Sequence, residues 1–417
     1  MLSSQFSSEL SLISRIESVA EHGTGLVTFV AGDDHETLTW AQLHAESRAV
    51  AARLQERGVG PGDHVALLGP TTRRLVTAIQ AIWLTGAALV TMPLPMRMGA
   101  LEQFIEQTRV RIRRSDSKVV VIDSQLAAFV EPIAGDPPFV GLDDLFADDG
   151  PGADDYVRPA NDPDSLAVLQ FTSGSTSEPK GVMLPHRNIC HNLDGAWIAA
   201  ELSHDETIVS WLPLYHDMGL IGCLLSAVYY CGRLVLLSPE HFLARPALWL
   251  RAIARHRAVI SPAPNFAYSL AAQRIRDAEL EGVRLDSWRY ALNGAEPVSA
   301  ATVEAFAARF APFGFSASAL VPVYGLSEAS LAVTFSAPGR GARCRRSPGP
   351  AQRSAAARRR PSRTRSERDR QRTGARRGQR TLRHAAPPAG EPWPNTPSRT
   401  HPRAILPQIS RIWPKGV

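Results

Sequence analysis

The chain has 417 residues, 44% of them hydrophobic, with 46 Lys and Arg against 40 Asp and Glu. That length allows two or three domains and a large core, and Cys190, Cys223, Cys231 and Cys344 form no C-x-x-C pair, which leaves cytosolic free thiols as the plain reading and a cytoplasmic location as the expectation. The net charge of +6 is split: residues from Arg340 onward hold 21 basic groups and three acids, leaving 25 basic and 37 acidic groups before them, so two kinds of sequence are joined.

The N-terminal "MLSSQFSSELSLISRIESVAEHG" carries Glu9, Arg15 and Glu17 in place of a long apolar run and does not read as a signal peptide. In "TLTWAQLHAESRAVAARLQERGVGPGD", Thr39 and Gln42 have capping-box spacing, and Trp40, Leu43, Val50 and Leu54 recur at helical spacing. Gly58, Gly60, Pro61 and Gly62 stop that helix. Then "HVALLG" reads as a strand, "TTRRLVTAIQAIWLTG" as a helix, "AALVTMPL" as a strand, "ALEQFIEQTRVRIRRS" as a helix and "SKVVVID" as a strand. The uncharged residues 75–96 are long enough for a bilayer, but Gln80, Gly86, Pro93 and Pro95 divide them into a buried helix and a short strand. No transmembrane segment is expected. The acidic, Gly- and Pro-rich stretch 131–165 reads as a surface connection.

A second unit begins near "LAVLQFTSGSTS". "NICHNLDGAWIAAEL" reads as a helix, "TIVSWLPLYHDMGLIGCLLSAVYYCG" as strand, loop and helix, and "RLVLLSP" and "RAVISPAP" as strands around a helix. "FAYSLAAQRIRDAELEG" and "VEAFAARFAPFG" are further helices, and "WRYALNG" and "ALVPVYG" further strands. Strands alternating with helices imply an α/β fold of parallel βαβ units. The division expected is a first α/β subdomain over residues 1–165, a second over 166–339, and a tail over 340–417. That tail is rich in Arg, Pro and Ala, lacks apolar periodicity and resembles disordered sequence by composition.

"FTSGSTSEPKGV" (171–182) leaves a strand as a loop of small and hydroxylated residues. Gly174 admits close approach of the backbone, Thr172, Ser173, Ser175 and Thr176 offer hydroxyls, and Lys180 adds charge. Successive N–H groups of such a loop can cradle a polyphosphate, although the spacing is not that of a Walker A loop. Three more polar loops follow strands: "SWLPLYHDMGLIG", "NGAEPV" and "VYGLSEAS". In an open parallel sheet, ligands gather at the carboxyl ends of strands, so four such loops can share one crevice.

In order and separation these motifs resemble the adenylate-forming acyl- and aryl-ligase superfamily. "LQFTSGSTSEPKGVML" and "WLPLYHDMGLIG" are most similar to the fatty acyl-AMP ligases. The resemblance covers about residues 10–340. It implies the N-terminal domain of that fold, with two parallel-sheet α/β subdomains, and ATP-dependent activation of a fatty acid for an acyl carrier protein or polyketide synthase. It also implies ATP and Mg²⁺ as cofactors. Thr172, Ser173, Gly174, Ser175, Thr176 and Lys180 would enclose the β- and γ-phosphates. Tyr324, followed by Gly325, would stack on adenine, with Asn293, Gly294, Ala295 and Glu296 lining the base pocket. Ser327 would sit near the α-phosphate, Glu328 would bind Mg²⁺, and His216 would lie beside the α-phosphate and the incoming carboxylate. Acyl-CoA ligases are the alternative within the enzyme class.

The family's third N-terminal subdomain, its acidic ribose-binding "Y-R-T-G-D"-like segment and its C-terminal domain with an α-phosphate lysine find no match after Gly341. The neighbours of Lys415 do not fit the lysine motif. These omissions imply weak or absent adenylation. Two accounts of residues 342–417 stand: a basic extension on a nucleotide-binding pseudoenzyme that contacts nucleic acid, or a reading-frame change near Gly341 in a GC-rich gene. Without interleaved aromatics, the frame change is the preferred account, and nucleic acid is not an expected partner. Translating the other two frames beyond codon 341 separates them.

Overall fold

Ser11 starts the first helix, α1 (Leu12–His22), by accepting the Ile13 N–H on its hydroxyl at 3.2 Å. The computed structural model describes residues 11–94, 101–147, 149–172, 179–203 and 205–342. Ser173, Gly174, Ser175, Thr176, the side chain of Thr172 and everything from residue 343 onward lie outside the described residues.

The hairpin β1 (Leu26–Ala31) and β2 (Asp34–Thr39) leads into α2 (Trp40–Glu56). The capping box is formed: Gln42 N–H donates to Thr39 Oγ1 at 3.1 Å and Thr39 N–H donates to Gln42 Oε1 at 2.8 Å. Two otherwise orphaned first-turn donors are thereby satisfied. Next come β3 (His64–Leu68), α3 (Arg73–Leu84), β4 (Ala88–Thr91), α4 (Leu101–Arg114), β5 (Val119–Ile122) and the short α5 (Ser124–Ala127). The uncharged run 75–96 is shared between α3 and β4 with Gly86 at φ +81° between them. Among the described residues no helix is long and apolar enough to cross a membrane. Cys190, Cys223 and Cys231 are unpaired, and the first two are buried.

One connection differs from the sequence reading. Within 131–165, β6 (Phe139–Gly141) pairs in parallel with β5, and Leu142 and Leu145 are buried beside it. A three-residue strand is too short for alternation to stand out among prolines and acids.

The hairpin β7 (Leu166–Thr172) and β8 (Lys180–Pro185) precedes α6 (His186–Ala200) and β9 (Thr207–Ser210). Then follow α7 (Asp217–Gly219), a π-helical segment Leu220–Leu225, α8 (Ser226–Tyr229), β10 (Arg233–Leu237), α9 (Pro239–Ala244), α10 (Ala247–Arg255) and β11 (Ile260–Pro264). The series closes with α11 (Asn265–Arg274), β12 (Tyr290–Gly294), α12 (Ala300–Phe310), β13 (Leu320–Gly325) and β14 (Ala332–Phe335).

The strands form an eight-stranded sheet in the order β14-β13-β12-β11-β9-β10-β1-β2 and a six-stranded sheet in the order β6-β5-β3-β4-β7-β8. Both are mainly parallel, with β2, β8 and β14 as antiparallel edges. The division at 165/166 therefore does not separate the sheets. β1 pairs with β10 in the larger sheet, while β7 pairs with β4 in the smaller one. A strand's apolar pattern reports that it is buried but not which strand lies beside it, so this exchange of segments leaves no mark in either half of the sequence.

The two faces of the larger sheet are filled differently. On one face Trp249, Tyr268, Trp288, Phe306 and Phe310 form a fully buried aromatic layer contributed by α10, α11, the β12 approach and α12. Small residues lie beneath it: Ser261 Oγ accepts the Trp249 indole N–H at 2.8 Å and donates to Val209 O at 2.7 Å. On the other face α6 lies over the sheet and encloses a cavity.

Candidate active site

The strand alternation of β11, β12 and β13 points Ile260, Pro262, Tyr290, Leu292, Val321 and Val323 to the α6 side, because successive side chains face opposite ways. From α6, Asn192, Leu193, Ala196, Trp197 and Ala200 face them at helical spacing. Together they line a cavity of about 860 Å³. At the carboxyl end of the sheet its wall becomes polar, with His216, Asp217, Tyr324, Ser327 and Glu328.

The polar mouth depends on local backbone geometry. β12 ends in Gly294, where an added Cβ would stand 2.5 Å from Val323 Cγ2 and 2.9 Å from Val323 O. Only glycine lets β12 and β13 lie this close. Ala295 then turns in the left-handed region at φ +64° and reaches the cavity wall. At Gly325, in a register irregularity of β13, an added Cβ would meet Leu331 O at 2.1 Å. That approach leaves Tyr324 61% exposed at the mouth, an unusual position for so large an aromatic side chain.

His216 caps the short helix after β9. Its Nδ1 lies 2.8 Å from Asp217 Oδ1 and 3.2 Å from the Met218 N–H. One nitrogen cannot donate to the first and accept from the second at once. The Met218 N–H has a shorter bond to Asp217 Oδ1, at 2.7 Å, so the network places the ring proton on Nδ1, facing the carboxylate. Asp217 Oδ2 accepts the Ser327 hydroxyl at 2.7 Å, joining this loop to the β13 loop. Burial works against the Asp217 charge, but the hydrogen bond and charge of His216, the Ser327 hydroxyl and the Met218 N–H outweigh it. The carboxyl is held below the usual carboxylate range.

The structure thus brings His216, Ala295, Tyr324, Gly325, Ser327 and Glu328 to one wall. Asn293 and Gly294 stand behind it. Asn293 is 1% exposed, donates to Asn265 Oδ1 at 3.4 Å, and its Oδ1 has no hydrogen-bond partner among the described residues. Glu296 accepts the Phe266 N–H in the first turn of α11 and lies off the cavity wall. Lys180 is exposed at the start of β8, its Cα paired with that of Thr172, so the β7–β8 hairpin closes the phosphate-loop sequence. Lys180 faces a separate pocket with Arg114, His64 and Phe171.

Asp217 was not among the residues singled out from sequence. Its signal was the His–Asp pair in "YHDMG", which alone is equally common as a surface loop. Gln170 was missed as well, and Trp211, which reads from the sequence as a packing residue, also borders the cavity. Both are buried on the cavity wall, and Gln170 Oε1 and Trp211 Nε1 lack partners among the described residues.

Comparison with known proteins agrees with this geometry. The family model "AMP-binding enzyme" matches residues 16–358. The 4-hydroxyphenylalkanoate adenylyltransferase of Mycobacterium tuberculosis is 36% identical over 319 residues, covering 73% of this chain and 50% of that protein. The long-chain-fatty-acid–AMP ligase FadD26 of Mycobacterium marinum is 35% identical over 315 residues, covering 73% and 53%. Among solved structures, the fatty acyl-adenylate ligase from L. pneumophila in complex with acyl adenylate and pyrophosphate superposes with a TM-score of 0.74 at 35% identity, covering 81% of this chain and 59% of that one. The chain spans about half the length of the curated relatives it matches. On its family match, its sequence relatives and its fold, the chain belongs to the AMP-binding, adenylate-forming enzymes.

Proposed function

We propose that the chain binds ATP at the polar mouth and a fatty acid along the apolar part of the cavity, and joins them as acyl-adenylate with loss of pyrophosphate. The observation that carries this reading is the His216–Asp217–Ser327 constellation, which stands where a polar mouth opens onto an apolar chamber. The fatty acid's carboxylate attacks the α-phosphorus and pyrophosphate leaves. Such chemistry needs alignment and charge stabilisation more than covalent help from the protein.

Each residue has a role within that reading. The ionised Asp217 accepts the Nδ1 proton and orients the His216 ring, which with a second proton on Nε2 would donate from there to a phosphate or carboxylate oxygen. Ser327, fixed by Asp217, marks the α-phosphate position. Tyr324 offers an aromatic face to the base, with Ala295 beside it on the wall. The loop 173–178 between β7 and β8, with Lys180, would hold the β- and γ-phosphates. A Mg²⁺ ion brought by ATP would neutralise phosphate oxygens. Glu328, exposed on the wall, fits as its single carboxylate, because Mg²⁺ commonly takes one or two carboxylates with phosphates and water. Among the described residues no group of three or more His, Cys, Asp or Glu forms a dedicated cage.

Transfer onward to an acyl carrier protein or polyketide synthase is the step this product chemistry serves. Fatty-acid-dependent ATP–pyrophosphate exchange tests the adenylation reading. Exchange above a no-fatty-acid control is expected, reduced about tenfold or more in Asp217→Asn, whose amide cannot hold the Nδ1 proton in the same way. Exchange that ignores fatty acid contradicts the substrate reading.

A further inference from the structure

The cavity has a definite far end. Its last row on the sheet is Ile208, Ile260 and Tyr290, paired across β9, β11 and β12, and the next row toward the mouth is Pro262, Leu292 and Val321. α6 runs over these rows toward the same end and stops at Ala200, with Glu201 in the left-handed region at φ +54°. There the Tyr290 hydroxyl donates to Ala200 O at 2.8 Å, tying the start of β12 to the last turn of the helix. Trp197, one turn back, is held by stacking on Tyr230 at 3.9 Å, and the Tyr230 hydroxyl donates to Asp194 Oδ1 at 2.7 Å. The end wall is therefore built from side chains fixed by hydrogen bonds and stacking, unlike the aliphatic side walls.

We propose that Tyr290, clasped to Ala200, sets the length of acyl chain this protein accepts. The inference rests on the fatty-acid reading above. From Tyr290 to Ala295 is five residues of strand, ~16 Å at ~3.3 Å per residue. An extended alkyl chain advances ~1.3 Å per carbon, given C–C bonds of ~1.5 Å, so the chamber takes on the order of twelve carbons. A longer chain must fold back or displace a tyrosine that is 6% exposed and hydrogen-bonded. Truncating Tyr290 opens the wall toward Leu202 and Ile208, which already line the cavity. Enlarging Leu292, one row nearer the mouth, shortens the chamber by ~6.6 Å, or about five carbons.

The test is binding, read by native mass spectrometry and by thermal melting with octanoate, dodecanoate or hexadecanoate, so it does not depend on turnover. The full chain should bind dodecanoate at least tenfold more tightly than hexadecanoate. Tyr290→Ala should remove that discrimination, and Leu292→Trp should move the preference to octanoate. If Tyr290→Ala fails to fold, the opposite shift in Leu292→Trp decides. Equal binding of dodecanoate and hexadecanoate by the unaltered chain, or variants that fold and keep its preference, overturns Tyr290 as the gauge. If none of these proteins binds any of the three acids, the fatty-acid reading itself falls, and the gauge with it.

Discussion

The two faces of the eight-stranded sheet solve opposite problems with the same strands. Toward α10–α12, Ser261, Ala263 and Ala291 are small, and Trp249, Tyr268, Trp288 and Phe306 fill the space above them. Toward α6, Ile260, Pro262, Tyr290 and Leu292 are larger, yet the space above them is left open. Interiors pack at near-crystalline density, so a buried face that is left open is costly and has to be held apart. Here the separation is held by the Tyr290–Ala200 bond at one end and by Asn192 at the other. The Asn192 amide donates to Ala329 O at 3.0 Å and Ala332 O at 2.9 Å. The filled face carries stability, and the open face is the one proposed to take the ligand.

The largest expected effect lies on the filled face. Trp249→Ala should lower unfolding free energy by ~3–5 kcal/mol, because it removes a fully buried aromatic and the indole N–H that donates to Ser261 Oγ. Denaturant melts check this. A loss below about 1 kcal/mol would mean that the aromatic layer is not the stabilising face.

The roof of the open face should be pH-sensitive. Burial pushes the His186 imidazole down to about 4, and its Nδ1 accepts the Leu12 N–H at 3.2 Å. In the unfolded chain the ring keeps its ordinary value near 6.5 and so binds more protons between those two pH values. Its contribution is fully present above pH 6.5 and is lost as pH falls through 4, up to ~3 kcal/mol. His256, also pushed down to about 4 chiefly by burial, adds to the same slope. His186→Asn should flatten the pH dependence of melting over that window. An unchanged slope would show that His186 is not the group responsible.

The smallest effect is expected at the mouth. Tyr324→Ala should leave stability nearly unchanged, since the ring is exposed, while weakening ATP binding by ~0.5–1.5 kcal/mol through lost stacking. Calorimetric titration with ATP reads this. A large loss of stability with unchanged affinity would make Tyr324 a packing residue.

Much of the local structure was legible in the sequence. The strands at Tyr290 and Leu320, the capping box at Thr39 and the helix after Thr72 each follow from local spacing. The sheet partners of β1 and β7 were not legible, because pairing is a non-local choice. His216, Tyr324, Ser327 and Glu328 were singled out because their motifs occur together and in order, and the structure sets them on one wall. Asp217 and Gln170 were missed because a buried polar group announces itself only once its surroundings are known. The open space under α6 has no sequence signature, since Leu292 and Val321 look the same lining a cavity as filling a core.

The most direct test is calorimetric titration with a non-hydrolysable dodecanoyl-adenylate analogue, beside AMP and dodecanoate alone. The account predicts that the joined molecule binds more tightly than either part, with a negative heat-capacity change from apolar burial that AMP lacks. Binding no tighter than AMP, with no added heat-capacity change, would contradict a single site spanning the polar mouth and the apolar chamber.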